Sequence, residues 1–437
     1  MRFNKISITN MRFVGDKTRM INFDPHKNVA ILLGDNGCGK TTVLDALATA
    51  MAPYLAQFPG AQDFQLTDLD VHINDDRTRA KYLVVDSILE NDGEKITSIR
   101  YRKGTHNTPK ANYEQLKQLA IKHKEDIIAG NPNVNLPIFA YYGTGRGQFK
   151  VPERKRNFQQ TFERWDCFKS AINSETDFKR FFGWYDLMED EERREKEKRL
   201  DFNYKLPVLE SVREALFEFV GKHYKNPRIE TRPLRFVMDK VDDTGFKEEL
   251  RIEQLSDGYK VVIAMVADLA ARMAEANPNM GKPLEGKGIV LIDEIDLHLH
   301  PKWQREIIKQ LTRVFKNVQF IVSTHSPIIV IGGSDIAQII NLNEDENNED
   351  DDISYSNIGS ILLSELFGLN SLQSPKWDDK IQERNMLLSK PQLDAQDKLR
   401  LTELDNEMRG LSSIESSTMI RSNMLLEKLA KELNIEL

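Results

Sequence analysis

The octapeptide GDNGCGKT, Gly34 to Thr41, fits the pattern G-x-x-x-x-G-K-[ST] in full. It follows the apolar run NVAILL and leads into TVLDALATAM, so the stretch reads as strand, glycine-rich turn, helix. That context constrains the fold more than anything else in the chain, because it demands an α/β core whose first crossover wraps a phosphate chain. Glycines let backbone N–H groups turn toward phosphate, Lys40 reaches the outer phosphates, and Thr41 offers a hydroxyl to magnesium. The candidate nucleotide ligands are Gly34, Asn36, Gly37, Gly39, Lys40, Thr41 and Thr42. A glycine-rich turn with a chance lysine is the alternative, and the flanking strand and helix speak against it.

A second apolar run, IVLIDEIDLHLHP from Ile289, ends in the adjacent carboxylates Asp293 and Glu294. Carboxylates at the end of a buried strand are costly unless something positive sits beside them. A magnesium ion next to Thr41 needs a carboxylate from a neighbouring strand end, and Asp293 fits. Glu294, one residue on, points elsewhere and can polarise the water that attacks the γ-phosphate. The bland alternative is a pair of strand-capping acids.

Other segments are weaker alone. LSDGYK, Leu255 to Lys260, reads by itself as a helix N-cap, although a helix N-terminus bearing a Ser hydroxyl is also an anion site. STHSP sets His325 just after an apolar strand, where it is either structural or in contact with the γ-phosphate or its water. YYGTGRGQ, Tyr141 to Gln148, is either an ordinary turn or a second phosphate-side loop offering Arg146 and Gln148. The basic segment RGQFKVPERKR is either a contact for nucleic acid backbone or a solvated charged face.

The layout predicts a nucleotide-binding core split by an insertion. Residues 1–150 carry the phosphate loop and an antiparallel hairpin with NDG at its turn, and residues 151–245 form an aromatic-rich helical lobe. Residues 246–345 resume the core with a long amphipathic helix and two strands. Residues 346–437 follow as an acidic loop and helical tail, and seven of the nine residues in EDENNEDDD are acidic. The formal net charge of −7 excludes a chain that coats nucleic acid all over, while leaving room for a local basic surface. Two cysteines exclude a disulfide framework. Together with the lack of an apolar leader or of a run near the roughly 20 apolar residues of a membrane span, they predict a cytoplasmic protein without membrane contact.

GDNGCGKT, LSDGYK, VLIDEIDLHLHP and STHSP, in that order and spacing, resemble an ABC-type ATPase of the SMC and RecF group over about residues 1–345. The resemblance implies an α/β fold: an ABC-type P-loop core with an antiparallel β subdomain, an inserted helical lobe and a helical C-terminal tail. It implies ATP and Mg²⁺ as cofactors, Lys40 and Thr41 on triphosphate and magnesium, Asp293 on magnesium, Glu294 as catalytic base and His325 as the switch histidine. It also implies that Asp296 touches a partner subunit and that Ser256 and Gly258 cover the γ-phosphate of a second copy, making a dimer around two nucleotides. The sequence departs from the group in Asp257, where many members have Gly. Its glutamine loop falls on Gln148, with Gln65 as the alternative.

More narrowly, LPIFAYYGTGR, LIDEIDLHLHPKWQ and IGSILLSELFGL are similar to ATPase subunits of Septu-type anti-phage systems, some retron-linked, which pair with a separate HNH nuclease. Related ATPases carry a Toprim nuclease after the histidine motif, and this tail shows no Glu followed by an Asp-x-Asp strand, so no nuclease activity is expected in this chain. The leading expectation is an ATPase that senses and regulates an associated nuclease. The alternatives are a DNA-repair or chromosome-maintenance ATPase that grips DNA through Arg154, Lys155 and Arg156, and a binding module that uses ATP only structurally.

Overall fold

The computed structural model describes residues 1–61, 64–102, 111–132, 134–147, 161–172, 179–221, 224–231, 234–242, 244–343, 358–364, 367, 375–388 and 395–408. The chain divides into two compact units, Met1–Asp350 and Asp351–Leu437.

In the first unit, β1 (Arg2–Thr9) buries Ile6 and Ile8 at the two-residue spacing of a sheet with one covered face, and also Phe3, across a register shift between Phe3 and Lys5. It pairs antiparallel with β2 (Arg19–Asn22) and β4 (Leu83–Asn91), and β4 pairs with β5 (Glu94–Arg102), giving the order β2-β1-β4-β5. The β4–β5 turn is Asp92–Gly93, both left-handed at φ 52° and 86°, the conformation that a two-residue hairpin loop requires.

The central sheet is different in kind. β3 (Val29–Leu33), β6 (Ile138–Tyr142), β10 (Gly288–Ile292) and β11 (Val318–Ser323) are buried at every position, and with β12 (Ala337–Asn341) they form a five-stranded sheet in the order β12-β3-β11-β10-β6. All of its pairings are parallel, which accounts for runs such as VAILL and GIVLI that do not alternate. α1 (Lys40–Leu55) leaves β3 almost wholly buried, and α2 (Glu114–Ile128) lies against it, with Tyr54 Oη 2.7 Å from His123 Nδ1.

The anticipated helical lobe is helical at α3 (Lys179–Arg199) and α4 (Pro207–Val220), but its last stretch is not. There, β7 (Tyr224–Thr231) and β8 (Leu234–Val241) pair with β9 (Lys247–Arg251), just beyond the anticipated boundary, in a three-stranded antiparallel sheet. Their sequence hid them for a physical reason. β7 is an edge strand with Pro227 inside it and a register shift between Lys225 and Arg228, and β9 is charged at four of its five positions, KEELR. Phe236 of β8 anchors the sheet by packing against Phe181, Phe182 and Tyr185 of α3, with ring centroids 5.5–6.0 Å apart.

α5 (Asp257–Ala276) is the long helix expected after LSDGYK, but it is not amphipathic in use: its polar residues Asp268, Arg272 and Glu275 are buried as well. Asp268 Oδ2 accepts from Tyr142 Oη at 2.8 Å and from Arg272 Nε at 2.7 Å, Arg272 also donates to Lys169 O at 3.0 Å, and Arg180 of α3 pairs with Glu275. A polar stripe that the sequence assigns to solvent therefore docks the lobe onto the core.

Glu189 on α3 illustrates a cost of such docking. Its Oε2 accepts from Ile229 N at 3.0 Å, yet burial pushes its carboxyl up to about 7 against the opposing pull of that bond and of Arg213. The folded state therefore holds a proton that the unfolded state releases between pH 4.5 and about 7, so this group's contribution to stability falls as pH rises through that window. Glu189→Gln is expected to gain about 1–2 kcal/mol relative to wild type between pH 5 and pH 8. Urea midpoints at the two pH values measure this, and an equal difference at both removes Glu189 from the pH dependence.

The second unit contains α8 (Ile358–Leu363), α9 (Pro375–Leu388) and α10 (Ala395–Met408). α9 and α10 are joined by Arg384–Asp405 at 2.6 Å, Arg400–Glu383 at 2.7 Å and Lys380–Glu407. This is the anticipated helical tail, whereas the acidic loop 344–352 lies outside the described residues.

Candidate functional site

The site lies at the C-terminal ends of the parallel strands, where open α/β sheets present their ligand crevice. β3 delivers the phosphate loop, in which Gly34, Gly37 and Gly39 take φ of 144°, 89° and 99°. A Cβ at Gly34 would lie 2.5 Å from Cys38 Sγ, so side chains are excluded there by space as well as by torsion. No side chain caps the N-terminus of α1, so its first N–H groups remain available to a phosphate. Lys40 Nζ lies across the loop and donates to Gly34 O at 2.7 Å and Asp35 O at 2.9 Å. Two residues that the sequence did not flag brace the loop from outside: Arg19 donates to Cys38 O at 2.9 Å, and Asn343, just past β12, accepts from Asp35 N at 2.9 Å.

Thr41 Oγ1 donates to Asp293 Oδ2 at 2.9 Å, which joins the phosphate loop to the acidic strand end. Asp293 is 4% exposed, and its Oδ1 accepts from Ser323 Oγ at 2.5 Å. The same hydroxyl accepts from Glu294 N at 2.7 Å. Glu294 is half-buried with φ 49°, a left-handed conformation that costs a non-glycine residue about 1 kcal/mol. Asp296 Oδ1 accepts from Thr324 Oγ1 at 2.5 Å. The segment STHSP thus contributes more than His325: Ser323 and Thr324 at the end of β11 orient Asp293 and Asp296. The signal for both was present, since hydroxyls at a strand end beside an acidic strand end suit this task.

His325 itself is exposed on the turn between β11 and α7 (Pro327–Gly333), whose N-cap is Ser326. Beneath the loop, Asp45 of α1 accepts from Tyr141 Oη at 2.9 Å and from Arg12 at 2.5 Å, while burial raises its carboxyl above the usual range. Ser256 is the N-cap of α5, and Gly258 lies against the segment that follows the acidic pair, close enough that a Cβ would stand 2.1 Å from His298 O. α6 (Pro301–Val314) leaves that segment, with its Trp303 ring 4.8 Å from the Tyr259 ring.

The structure therefore brings Lys40, Thr41, Asp293 and Glu294 to one edge of the sheet and sets Ser256 and Gly258 beside the segment carrying Asp296. Gln148 and the basic residues Arg154, Lys155 and Arg156 lie outside the described residues, and the alternative Gln65 is exposed ahead of the short turn Asp68–Asp70.

A parallel sheet with a phosphate loop facing an acidic strand end defines a P-loop ATPase fold, and comparison with known proteins agrees. Residues 29–331 match the AAA_21 family, described as AAA domain, putative AbiEii toxin, Type IV TA system, and the chain belongs to that family. It is 31% identical over 373 residues to the Retron Ec83 probable ATPase of Escherichia coli, a match covering 72% of this chain and 67% of that one. It is 28% identical over 351 residues to the Retron Vc95 probable ATPase of Vibrio cholerae serotype O1 biovar El Tor, covering 70% and 67% of the two chains. Against the Septu protein PtuA of Bacillus mycoides it is 29% identical over 245 residues, covering 52% of this chain but 33% of PtuA. The SMC head domain from Thermotoga maritima superposes with 17% identity and a TM-score of 0.42, over 78% of this chain and 94% of that one, too distant to carry an argument. The chain is thus similar to probable ATPases of retrons and, over a shorter stretch, to a Septu protein. Among the described residues, no helix is long and apolar enough to cross a membrane.

Proposed function

We propose that this chain binds and hydrolyses ATP at the Lys40–Thr41–Asp293–Glu294 site, closes as a dimer around two nucleotides, and regulates an associated HNH-type nuclease in anti-phage defence. The observation that carries the reading is the Thr41 Oγ1 to Asp293 Oδ2 contact at 2.9 Å. It sets a hydroxyl and a carboxylate, both hard oxygen donors, side by side at the mouth of a phosphate loop. Magnesium takes one or two such protein ligands and completes its shell with phosphates and water, so the sparse donor set fits it. Among the described residues, no cluster of three His, Cys, Asp or Glu competes as a metal site. Thr41 and Asp293 would hold magnesium, which neutralises charge on the phosphates when bound.

The chain's own residues supply the rest. Lys40 exchanges its bonds to Gly34 O and Asp35 O for phosphate oxygens, and the uncapped N-terminus of α1 binds the remaining charge. Glu294 takes a proton from the water whose oxygen attacks the γ-phosphorus, and the bond to the β-phosphate oxygen breaks to leave ADP. His325, exposed at the same edge, contacts the γ-phosphate or that water. Ser256 and Gly258 face the γ-phosphate of a second copy, and Asp296 contacts that copy. In this reading the nuclease belongs to a partner protein.

The test is native mass and nuclease activity of the protein coexpressed with its neighbouring gene product, with and without ATP and magnesium. A nuclease complex whose assembly or cutting depends on nucleotide supports the reading. An ATP-locked dimer that grips DNA and recruits no nuclease overturns it in favour of a repair-type clamp. For the metal assignment, Thr41→Val is expected to raise the magnesium concentration for half-maximal turnover by about tenfold, and an unchanged requirement removes Thr41 from the site.

A further inference from the structure

We infer that Arg146 is a positioning residue for hydrolysis: its guanidinium clamps the main chain at Asp293 and Glu294 and so keeps the Glu294 carboxylate in its working orientation. The inference rests on the hydrolytic role proposed for Glu294.

β6 and β10 run parallel and in register as far as Tyr142 and Ile292. Beyond that point one main-chain bond continues the pairing, from Asp293 N to Tyr142 O at 2.9 Å. Arg146, in the short turn Thr144–Gly147 after β6, takes over from there. Its Nη1 donates to Gly143 O at 2.8 Å and to Asp293 O at 2.5 Å, and its Nη2 donates to Glu294 O at 2.6 Å. A side chain thus replaces the ladder bonds that the sheet stops providing where the acidic pair begins.

The pair needs such support. Glu294 has φ 49°, a conformation that a non-glycine residue keeps only where its surroundings impose it. Ser323 Oγ holds its N–H at 2.7 Å, and Arg146 together with Leu297 N holds its carbonyl. Arg146 is 2% exposed, which sets it apart from an arginine that reaches a substrate, and the bonds described for it all go to main-chain carbonyls. Burial pulls the guanidinium down to about 10 while Asp293, Glu294 and Asp296 oppose the fall, so it is charged at neutral pH. The planar fork is what bridges three carbonyls, whereas an ammonium, a compact point charge, cannot span them in the same plane.

The experiment compares wild type, Arg146→Lys and Arg146→Gln, each with Glu294 intact and as Glu294→Gln, in the full-length chain. ATP affinity, turnover, the global denaturation midpoint and amide exchange of Ile295 and Leu297 are measured for each. These two amides donate to Ser323 O and Glu294 O in the clamped segment. The expected result is turnover reduced about 10–100-fold with ATP affinity within about twofold, faster exchange confined to this segment, and no more than about a twofold further loss in the Glu294→Gln background. Losses that multiply across the two backgrounds, ATP affinity that falls in step with turnover, unchanged exchange, or global unfolding of both variants would each overturn the inference. If wild type does not hydrolyse ATP, the function proposed above fails, and the exchange measurement still decides whether Arg146 clamps the acidic pair.

Discussion

Glu294→Gln is expected to lower ATP turnover about 10³-fold while leaving nucleotide binding within a few-fold of wild type, so that the ATP-bound dimer proposed above accumulates. The magnitude is that of removing a positioned general base. The change is unusually clean at this position. Glutamine matches glutamate in shape, and the contacts that hold residue 294 are main-chain ones: its N–H to Ser323 Oγ at 2.7 Å and its carbonyl to Arg146 Nη2 at 2.6 Å. Both survive the substitution, as do the Thr41–Asp293 contact and the loop bonds of Lys40. The substitution therefore removes proton acceptance and little else. Phosphate release, nucleotide binding and native mass measured together provide the check. Turnover within tenfold of wild type rules Glu294 out as the base and favours a protein that uses ATP only to hold its shape.

The second large effect is expected at Gly258. An added Cβ would stand 2.1 Å from His298 O and 3.0 Å from His298 C, and both obstructing atoms are backbone, so no side chain can swing aside. Relief requires α5 to move off the segment that follows the acidic pair, and that segment also carries Asp296, held by Thr324. Gly258→Ala is expected to cost about 1–3 kcal/mol of stability through overpacking and to lower turnover about 100-fold, more than such a stability loss alone produces in a protein that remains folded. Denaturation midpoint and turnover are measured on the same preparation. Gly258→Ala with normal turnover would mean that the contact between α5 and the His298 segment is slack and that Gly258 has no part in catalysis.

How much of this was legible beforehand varies by element, and each difference has a cause. The phosphate loop and the acidic strand end declare themselves because their chemistry forces residue types at fixed spacing along a single strand or turn. The fully buried strands β3, β10 and β11 read as apolar runs for the same local reason. The sheet β7-β8-β9 did not, because an edge strand with an internal proline and a bulge, and a partner reading KEELR, carry no period-2 signal. The polar side of α5 was read as solvent-facing because periodicity reports where polarity lies and not what covers it. Asp268, Arg272 and Glu275 are in fact buried against Tyr142 and Arg180 from distant segments.

The sequence by itself determined the class of chemistry: a phosphate-binding strand–loop–helix, a carboxylate pair on another strand, and the order of motifs that goes with an ATPase. These depend on contacts within a few residues of each other or on residue types that tolerate few substitutes. Tertiary structure alone decided which oxygen meets which. Thr41 reaches Asp293 because β3 and β10 both flank β11 in one parallel sheet, and Ser323 and Arg146 became partners of the acidic pair through strands separated by long stretches of chain. Hydrogen bonding falls away within a few tenths of an ångström and a few tens of degrees, and only the assembled sheet fixes strand ends to that tolerance.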